Sequence, residues 1–248
     1  MEHGRMAPRR FKVDEVTAGV VSLTGPQAHH AIAVLRMAVG DEVIVFDGRG
    51  TEATGRIAAI EPAQVVVATD TPRKIARSGA LTLAVATPKG ERADWLVEKC
   101  TELGVTRLIP LRTDRGIVAP GAGKLDRWRR KAVEAAKQSQ QAIAMEIHDE
   151  CSINALLSEG SSLFFGSPDA AVSFSDALRG IDQAARITFI VGPEGGFTAD
   201  ELAALHAAGA MPVRLASPIL RIETAAIAAA ALWAAWKTGH FDGHRELS

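Results

Sequence analysis

Short runs of alternating apolar and polar residues dominate the first part of the chain. Three Val- and Ile-rich runs predict β-strands, at residues 42–46, 52–60 and 64–69. Asp47-Gly48-Arg49-Gly50 predicts a turn after the first of them, and apolar positions at helical spacing predict a helix over 26–37. The pattern indicates a small β-barrel-like domain at 1–72, followed by a polar linker at 73–80 that is broken by Pro and Gly.

The apolar pattern changes from residue 81 onward. Strands are expected at 81–86, 107–111, 162–165 and 187–191, and helices at 91–103 and 124–141. Strands that alternate with helices form a mostly parallel sheet with both faces covered. The sequence therefore predicts an α/β domain over 81–248.

Charge adds a possible nucleic-acid surface. The net charge is −1, but nine Lys or Arg stand against three acids between Arg107 and Lys137, and six stand against thirteen from Gln141 onward. Such a basic band could meet phosphates. A solvated surface of an Arg-rich protein explains the charge equally well.

The remaining composition excludes several classes of protein. The 47% of apolar residues argues for a folded chain. No run resembles a secretory signal, and the Ala-rich stretch 225–236 is too short to cross a bilayer. Cys100 and Cys151 lack the spacing of metal ligands, so no metal and a reduced cytoplasmic setting are expected.

A glycine-rich loop, residues 192–197, follows the apolar strand 187–191. Its glycines let the backbone approach a ligand closely, and Thr198 with Glu201 predicts a capping box on the next helix. An ordinary strand-to-helix turn would show the same features. The chain has neither the G-x-x-x-x-G-K-S/T motif nor a G-x-G-x-x-G motif that opens a helix after a strand. Glu194 would also repel phosphate, so a nucleoside with a cationic sulfonium fits this loop better than a triphosphate does.

A second loop, residues 215–225, leads from another strand into a helix. Its small and apolar residues could line an adenine slot. Arg221 could orient an RNA phosphate or stabilise a charged uracil oxygen. Arg221 and Glu223 could equally form a salt bridge, or Glu223 could favour the positive end of the helix.

Together these segments resemble one family, the small-subunit ribosomal RNA uridine-N3 methyltransferases called RsmE, of the SPOUT superfamily. The resemblance spans nearly the whole chain. It rests on an ordered set of segments, which are Arg10-Phe11, His29-His30, Val34-Leu35-Arg36, Gly40-Asp41, Phe46-Asp47-Gly48, Pro88-Lys89-Gly90, Asp94-Trp95, Glu98-Lys99, residues 101–105, residues 192–197, Ile219-Leu220-Arg221 and Glu223-Thr224-Ala225.

The resemblance implies a PUA-like RNA-binding domain and a methyltransferase domain knotted in a trefoil. It implies methylation of N3 of the uridine at position 1498 of 16S ribosomal RNA, with S-adenosylmethionine as cofactor. It also implies a homodimer, to which the small residues of 225–235 are suited, although a buried core helix explains them equally well. The residues expected at the cofactor are Gly192, Pro193, Glu194, Gly195, Gly196, Leu215, Ala216, Ile219 and Leu220.

Loss of the N3 proton must accompany the transfer, so the enzyme has to stabilise a uracil anion. Arg221 is the first catalytic candidate, and Glu223 is a second one for proton acceptance or orientation. His29 and His30 are interpreted as structural or RNA-contacting residues. Contact with ribosomal RNA, or with the small subunit, is predicted for Arg9, Arg10, Arg36, Arg112, Arg115, Arg127, Arg129 and Arg130.

The chain departs from the family pattern in two places. Ala216 and Pro218 stand where relatives often have Gly and Arg, a change that is tolerable if the φ of Ala216 is negative. Residues 137–141 read Lys-Gln-Ser-Gln-Gln where relatives often have Glu-Gln-Ser-Gly-Arg. Two alternatives therefore stay open: an inactive RNA-binding or assembly factor, and a methyltransferase for another RNA position.

Overall fold

A computed structural model describes residues 8–158 and 161–239, and it contains two compact units. The first unit comprises Met1–Ala76 and the segment Ala136–Ala144. The second comprises Arg77–Ala135 and Met145–Ser248. The sequence predicted one boundary, at the linker 73–80, but the structure also assigns residues 136–144 to the first unit. That return rests on pairing with a distant turn, since the Gly50 amide donates to Ala142 and the Ala144 amide donates to Gly48.

The first unit is built on one twisted sheet. Its elements are β1 (Arg9–Lys12), β2 (Gly19–Thr24), α1 (Gly25–His29), β3 (Glu42–Phe46), β4 (Thr51–Ile60), β5 (Gln64–Thr69) and β6 (Arg73–Lys74). The strand order is β1-β3-β4-β5-β2, with β6 beside β4. The alternating pattern places Phe11, Leu23, Val45 and Val67 in a buried core, because successive residues of a strand face opposite sides.

The helix predicted over 26–37 is shorter at its carboxyl end and changes its hydrogen-bond pattern along the way. α1 ends at His29 and continues as a π-helical turn over His30–Val34, in which the Leu35 amide donates to His30. Arg36 then takes a φ of 52°, a left-handed conformation that no α-helix continues through. The strands at 42–46 and 64–69 have the predicted bounds.

Arg10 is held inside the first unit by a carboxylate. Its side chain is 6% exposed and forms an ion pair with Glu52, which Arg73 also binds. The Arg10 guanidinium lies 5.0 Å from the centre of the Phe46 ring. Burial raises the pKa of Glu52, but the hydrogen bonds and charges of the two arginines outweigh burial and lower this pKa overall. The cluster joins β1, β4 and β6.

The second unit alternates strands with helices. Its elements are β7 (Ala80–Ala86), α2 (Arg92–Glu102), β8 (Arg107–Arg112), α3 (Ala122–Gln138, whose end lies in the first unit), β9 (Glu146–Ile147), β10 (Cys151–Ser152), α4 (Ile153–Leu157), β11 (Ser162–Gly166), α5 (Phe174–Arg179), β12 (Arg186–Val191), α6 (Ala199–Ala207), β13 (Met211–Val213) and α7 (Ile222–Lys237).

The sheet of the second unit is parallel, as predicted, and both of its faces are covered. Its order is β10-β8-β7-β12-β11-β13, with β9 beside β8. Leu81, Leu83 and Val85 of β7 belong to a core that includes residues of α2 and α7. Ala84, which points the other way, packs in a second core with residues of α4 and α6.

The Ala-rich helix α7 uses its small residues for close packing inside the unit. Ala226, Ala229 and Ala230 are fully buried, and α7 packs against α2, α5 and β7. The buried-core interpretation of this helix is therefore confirmed for that face. Among the described residues, no helix is long and apolar enough to span a membrane.

α3 ends in a Schellman motif whose left-handed position is occupied by Gln140 and not by a glycine. The Gln141 amide donates to Ala136 and the Gln140 amide donates to Lys137, which places Gln140 at a φ of 59°. α2 and α6 end in the same hydrogen-bond pattern with Gly104 and Gly209 at that position. A left-handed conformation costs a residue with a Cβ about 1–2 kcal/mol. The left-handed φ at position 140 is one that glycine adopts without this cost.

We expect Gln140→Gly to raise the free energy of unfolding by about 0.5–1 kcal/mol, because relief of the strained φ exceeds the added chain entropy of glycine. Thermal or urea unfolding of the whole chain measures it. Gln138→Gly, in the last turn of α3 where φ is negative, is the matched control and should destabilise. A Gln140→Gly variant no more stable than the parent would contradict the assignment of strain.

Candidate cofactor site

Three neighbouring strands end at the same edge of the parallel sheet. β11 pairs with β12 on one side and with β13 on the other, although it precedes both in the chain. Since all three run in the same direction, their following loops meet at one edge. This edge brings together residues 166–168, 192–197 and 215–220.

A cavity of about 350 Å³ lies between these three loops. All nine residues predicted to hold the cofactor line it: Gly192, Pro193, Glu194, Gly195, Gly196, Leu215, Ala216, Ile219 and Leu220. The volume is in the range of small-molecule sites, and the lining is mostly apolar, as adenine requires. The structure thus places the two predicted loops at one site.

Sequence reasoning missed the third loop, Gly166-Ser167-Pro168, which also lines the cavity. Its signal was available, because a glycine and a proline directly follow an apolar strand, as in the other two loops. What the sequence did not reveal is that β11 lies between β12 and β13. The amide of Ser167 donates to Val213 and extends that pairing into the loop.

The glycine-rich loop is fixed at both of its ends. Thr198 and Glu201 form the predicted capping box of α6, and Glu201 also accepts a hydrogen bond from the amide of Asp114. Arg115 donates to the carbonyl oxygen of Gly195 over 2.8 Å. These bonds hold the loop in place before any ligand arrives, which favours precise binding.

Two glycines of the loop are required by geometry. Gly196 has a φ of 69°, which L-residues rarely adopt. A Cβ on Gly192 would lie 2.9 Å from the ring of Phe197. Phe197 is anchored edge-on against Phe165, with ring centres 6.2 Å apart. Gly192 is therefore the residue that lets the loop fold over Phe197.

The two catalytic candidates differ in environment. Arg221 is the N-cap residue of α7, and its exposed side chain makes no hydrogen bond or ion pair with any described residue. Glu223, two residues further, is 5% exposed, and its Oε2 has no hydrogen-bond partner. The salt bridge between Arg221 and Glu223 that the sequence allowed does not form.

Glu223 pairs instead with Arg92, a residue that the sequence did not single out. Arg92 Nη1 lies 3.5 Å from Oε1 of Glu223 and 3.7 Å from Oε1 of Glu194. Arg92 begins α2, and the side chain is 38% exposed. Glu194, which lines the cavity, and the buried Glu223 therefore share one ion-pair partner.

The predicted RNA-contacting arginines fall into two groups. Four of them are exposed in their respective units: Arg9, Arg36, Arg112 and Arg130. Four others are engaged within the protein: Arg10 with Glu52, Arg115 with Gly195, Arg127 with Asp94, and Arg129 with Asp126 and Asp149. The side chain of Arg10 is only 6% exposed, and its contact with RNA stays a prediction.

The other candidate groups have no counterpart in the site. His29 and His30 are exposed at the end of α1, in the first unit. Cys100 is fully buried, and burial raises its thiol pKa far above the ordinary value. Among the described residues no three His, Cys, Asp or Glu side chains are grouped as metal ligands.

Comparison with known proteins identifies the class. The model of the RNA methyltransferase domain matches residues 76–234, and that of the RNA methyltransferase PUA domain matches residues 23–69. A methyltransferase from Legionella pneumophila, solved in complex with bound S-adenosylmethionine, is 27% identical with a TM-score of 0.81, covering 93% of this chain and 98% of its own. The chain is an S-adenosylmethionine-dependent RNA methyltransferase with a preceding PUA domain.

The particular family follows from two further relatives. Ribosomal RNA small subunit methyltransferase E of Synechocystis sp. is 31% identical over 219 residues, covering 86% of this chain and 72% of its own length. The enzyme of the same name from Neisseria gonorrhoeae, bound to S-adenosylmethionine, is 28% identical with a TM-score of 0.77, covering 90% of this chain and 95% of its own. This chain belongs to the ribosomal RNA small subunit methyltransferase E family.

We expect Gly192→Ala to weaken binding of S-adenosylmethionine about tenfold or more, since the added methyl displaces Phe197 and with it the loop. Isothermal titration calorimetry measures the dissociation constant. Gly180→Ala is the control: it makes the same change outside the site, where the nearest atom is 3.8 Å away. Equal affinities for Gly192→Ala and the parent would show that the loop does not depend on this contact.

Proposed function

We propose that this protein transfers the methyl group of S-adenosylmethionine to N3 of the uridine at position 1498 of 16S ribosomal RNA. The observation that carries the proposal is the single cavity lined by both family loops. We assign cofactor binding to the nine predicted residues that line it. The cofactor supplies a methyl group on a positively charged sulfur, and the chain supplies placement and charge.

The protein's own contribution is to favour the deprotonated base. N3 of uracil must lose its proton as it bonds to the methyl carbon, and the negative charge that develops spreads to the neighbouring carbonyl oxygens. Arg221, whose side chain is exposed and has no described partner, is the residue that stabilises this charge. Glu223, with a free carboxylate oxygen, orients the base or accepts its proton.

RNA binding is assigned to the PUA domain and to the exposed arginines of both units: Arg9, Arg36, Arg112 and Arg130. Arg115, Arg127 and Arg129 stay candidates whose guanidinium groups are already engaged. Phosphate contacts need charge at the surface. We assign ribosomal RNA or the small subunit as the substrate and the cytoplasm as the compartment, as the family relationship suggests.

A homodimer and a trefoil knot complete the proposal. Apolar side chains stand exposed in the second unit, with Ile219 83% and Ile117 73% exposed. Ile219 lines the cofactor cavity itself. Exposed apolar groups at a ligand site are typical of surfaces that a partner covers, and a second copy of the chain is the partner that the family resemblance implies.

An inactive assembly factor is the main alternative, and it rests on the two departures from the family pattern. Ala216 lines the cavity and is not among the residues with positive φ, so its backbone needs no glycine. Residues 137–141 belong to the first unit, at the end of α3, and none of them lines the cavity. Pro218 does line the cavity, so the first departure changes its wall where relatives often have Arg.

Nucleoside analysis of ribosomal RNA tests the reaction. A strain lacking the gene should lose 3-methyluridine from its small-subunit RNA and regain it when the gene is restored. Loss of a different methylated nucleoside would assign the enzyme to another RNA position. Unchanged nucleosides, together with no binding of S-adenosylmethionine in calorimetry, would favour the inactive factor.

We expect Arg221→Ala to lower the rate of methyl transfer by about 10²–10³-fold, as loss of a charge-stabilising donor does elsewhere. The melting temperature should not change, because the exposed side chain makes no hydrogen bond or ion pair with any described residue. Arg186→Ala, at the opposite end of β12, is the matched exposed control. Near-normal transfer by Arg221→Ala would remove Arg221 from the mechanism.

A further inference from the structure

We propose that Arg92 is a positioning residue for the transfer site, which holds the glycine-rich loop and the start of α7 in register. The proposal rests on the function proposed above, because it concerns the cavity assigned to S-adenosylmethionine. Arg92 lies outside both family loops and does not line the cavity. It acts through the two carboxylates that it joins.

The first observation is the geometry of one guanidinium nitrogen. Arg92 Nη1 is within 3.7 Å of Glu194, in the loop after β12, and within 3.5 Å of Glu223, in the first turn of α7. These two elements form different parts of the cavity wall, since residues 192–197 come from one and Ile222 and Ala225 come from the other. A single cation thus links both parts.

The second observation is an incomplete set of hydrogen bonds at Glu223. The side chain is 6% exposed, and its Oε1 faces Arg92 while Oε2 has no partner. A buried carboxylate oxygen without a donor costs free energy. Glu223 does not itself line the cavity, but its neighbour Ile222 does, so the unpaired oxygen belongs to a residue next to the cavity wall. Arg92 fixes the direction of that oxygen because it holds the other one.

The third observation is the exposure of the individual members. Glu194 is 54% exposed and Arg92 is 38% exposed, so burial does not hold either side chain in place. An exposed ion pair contributes little to stability by itself. Its value here is orientation: the buried Glu223 anchors Arg92, and Arg92 restrains the loop through Glu194.

The test compares Arg92→Met, Arg92→Lys and the control Arg179→Met, which removes an exposed arginine paired with Asp176 on α5. The first readout is the dissociation constant for S-adenosylmethionine measured by calorimetry, without RNA. We expect Arg92→Met to raise it about tenfold and Arg179→Met to leave it unchanged. Arg92→Lys should recover part of the loss, because it keeps the positive charge but its shorter side chain does not place a nitrogen where Nη1 of Arg92 lies.

A double-mutant cycle distinguishes positioning from a general effect on the fold. Glu194→Gln should raise the dissociation constant alone, yet add little to Arg92→Met, because both changes break the same link. Additive effects would overturn the proposal. So would an Arg92→Met variant that melts at a lower temperature but binds S-adenosylmethionine as the parent does, since that outcome assigns Arg92 to stability alone.

The kinetic readout follows with the RNA substrate. Arg92→Met should raise the KM for S-adenosylmethionine and lower kcat, because Glu223 loses its orientation, whereas Arg179→Met should change neither. Failure of the parent protein to bind S-adenosylmethionine would overturn the proposed function. Binding by the parent with no effect of Arg92→Met would overturn only this inference.

Discussion

Parallel pairing of β11 with both β12 and β13 is the constraint on which the site depends. Because the three strands run in the same direction, all three end at the same edge of the sheet, and the loops that follow them begin there. Three loops far apart in sequence therefore surround one cavity. The helices on both faces of the sheet bury Leu83, Ala84 and Phe189, and this burial keeps the strands in register.

Hydrogen bonds and ion pairs hold the loops that the strand order brings together. The capping box of α6 and the bond from Arg115 to Gly195 fix the loop that follows β12. The link from Glu194 through Arg92 to Glu223 joins that loop to α7. Such bonds contribute modestly to stability, but they restrict the loops before a ligand arrives, and preorganisation lowers the entropic cost of binding.

Much of the basic charge serves the protein's own structure. Arg10 and Arg73 share the buried Glu52, while Arg127 and Arg129 bind acids close to α3. A count of basic residues along the chain cannot separate these from charges that remain at the surface, because the acidic partners lie up to dozens of positions away. The surface available to RNA is consequently smaller than the basic band indicated.

The sequence by itself determined the local features: the strands 42–46 and 64–69, the capping box at Thr198, and the two loops with their cofactor candidates. Apolar periodicity and turn chemistry act over a few residues, so they can be read without a fold. Only the tertiary structure decided that β11 lies between β12 and β13, that residues 166–168 complete the cavity, and that Glu223 pairs with Arg92. These contacts join residues far apart in the chain, and their geometry exists only after the parallel sheet has formed.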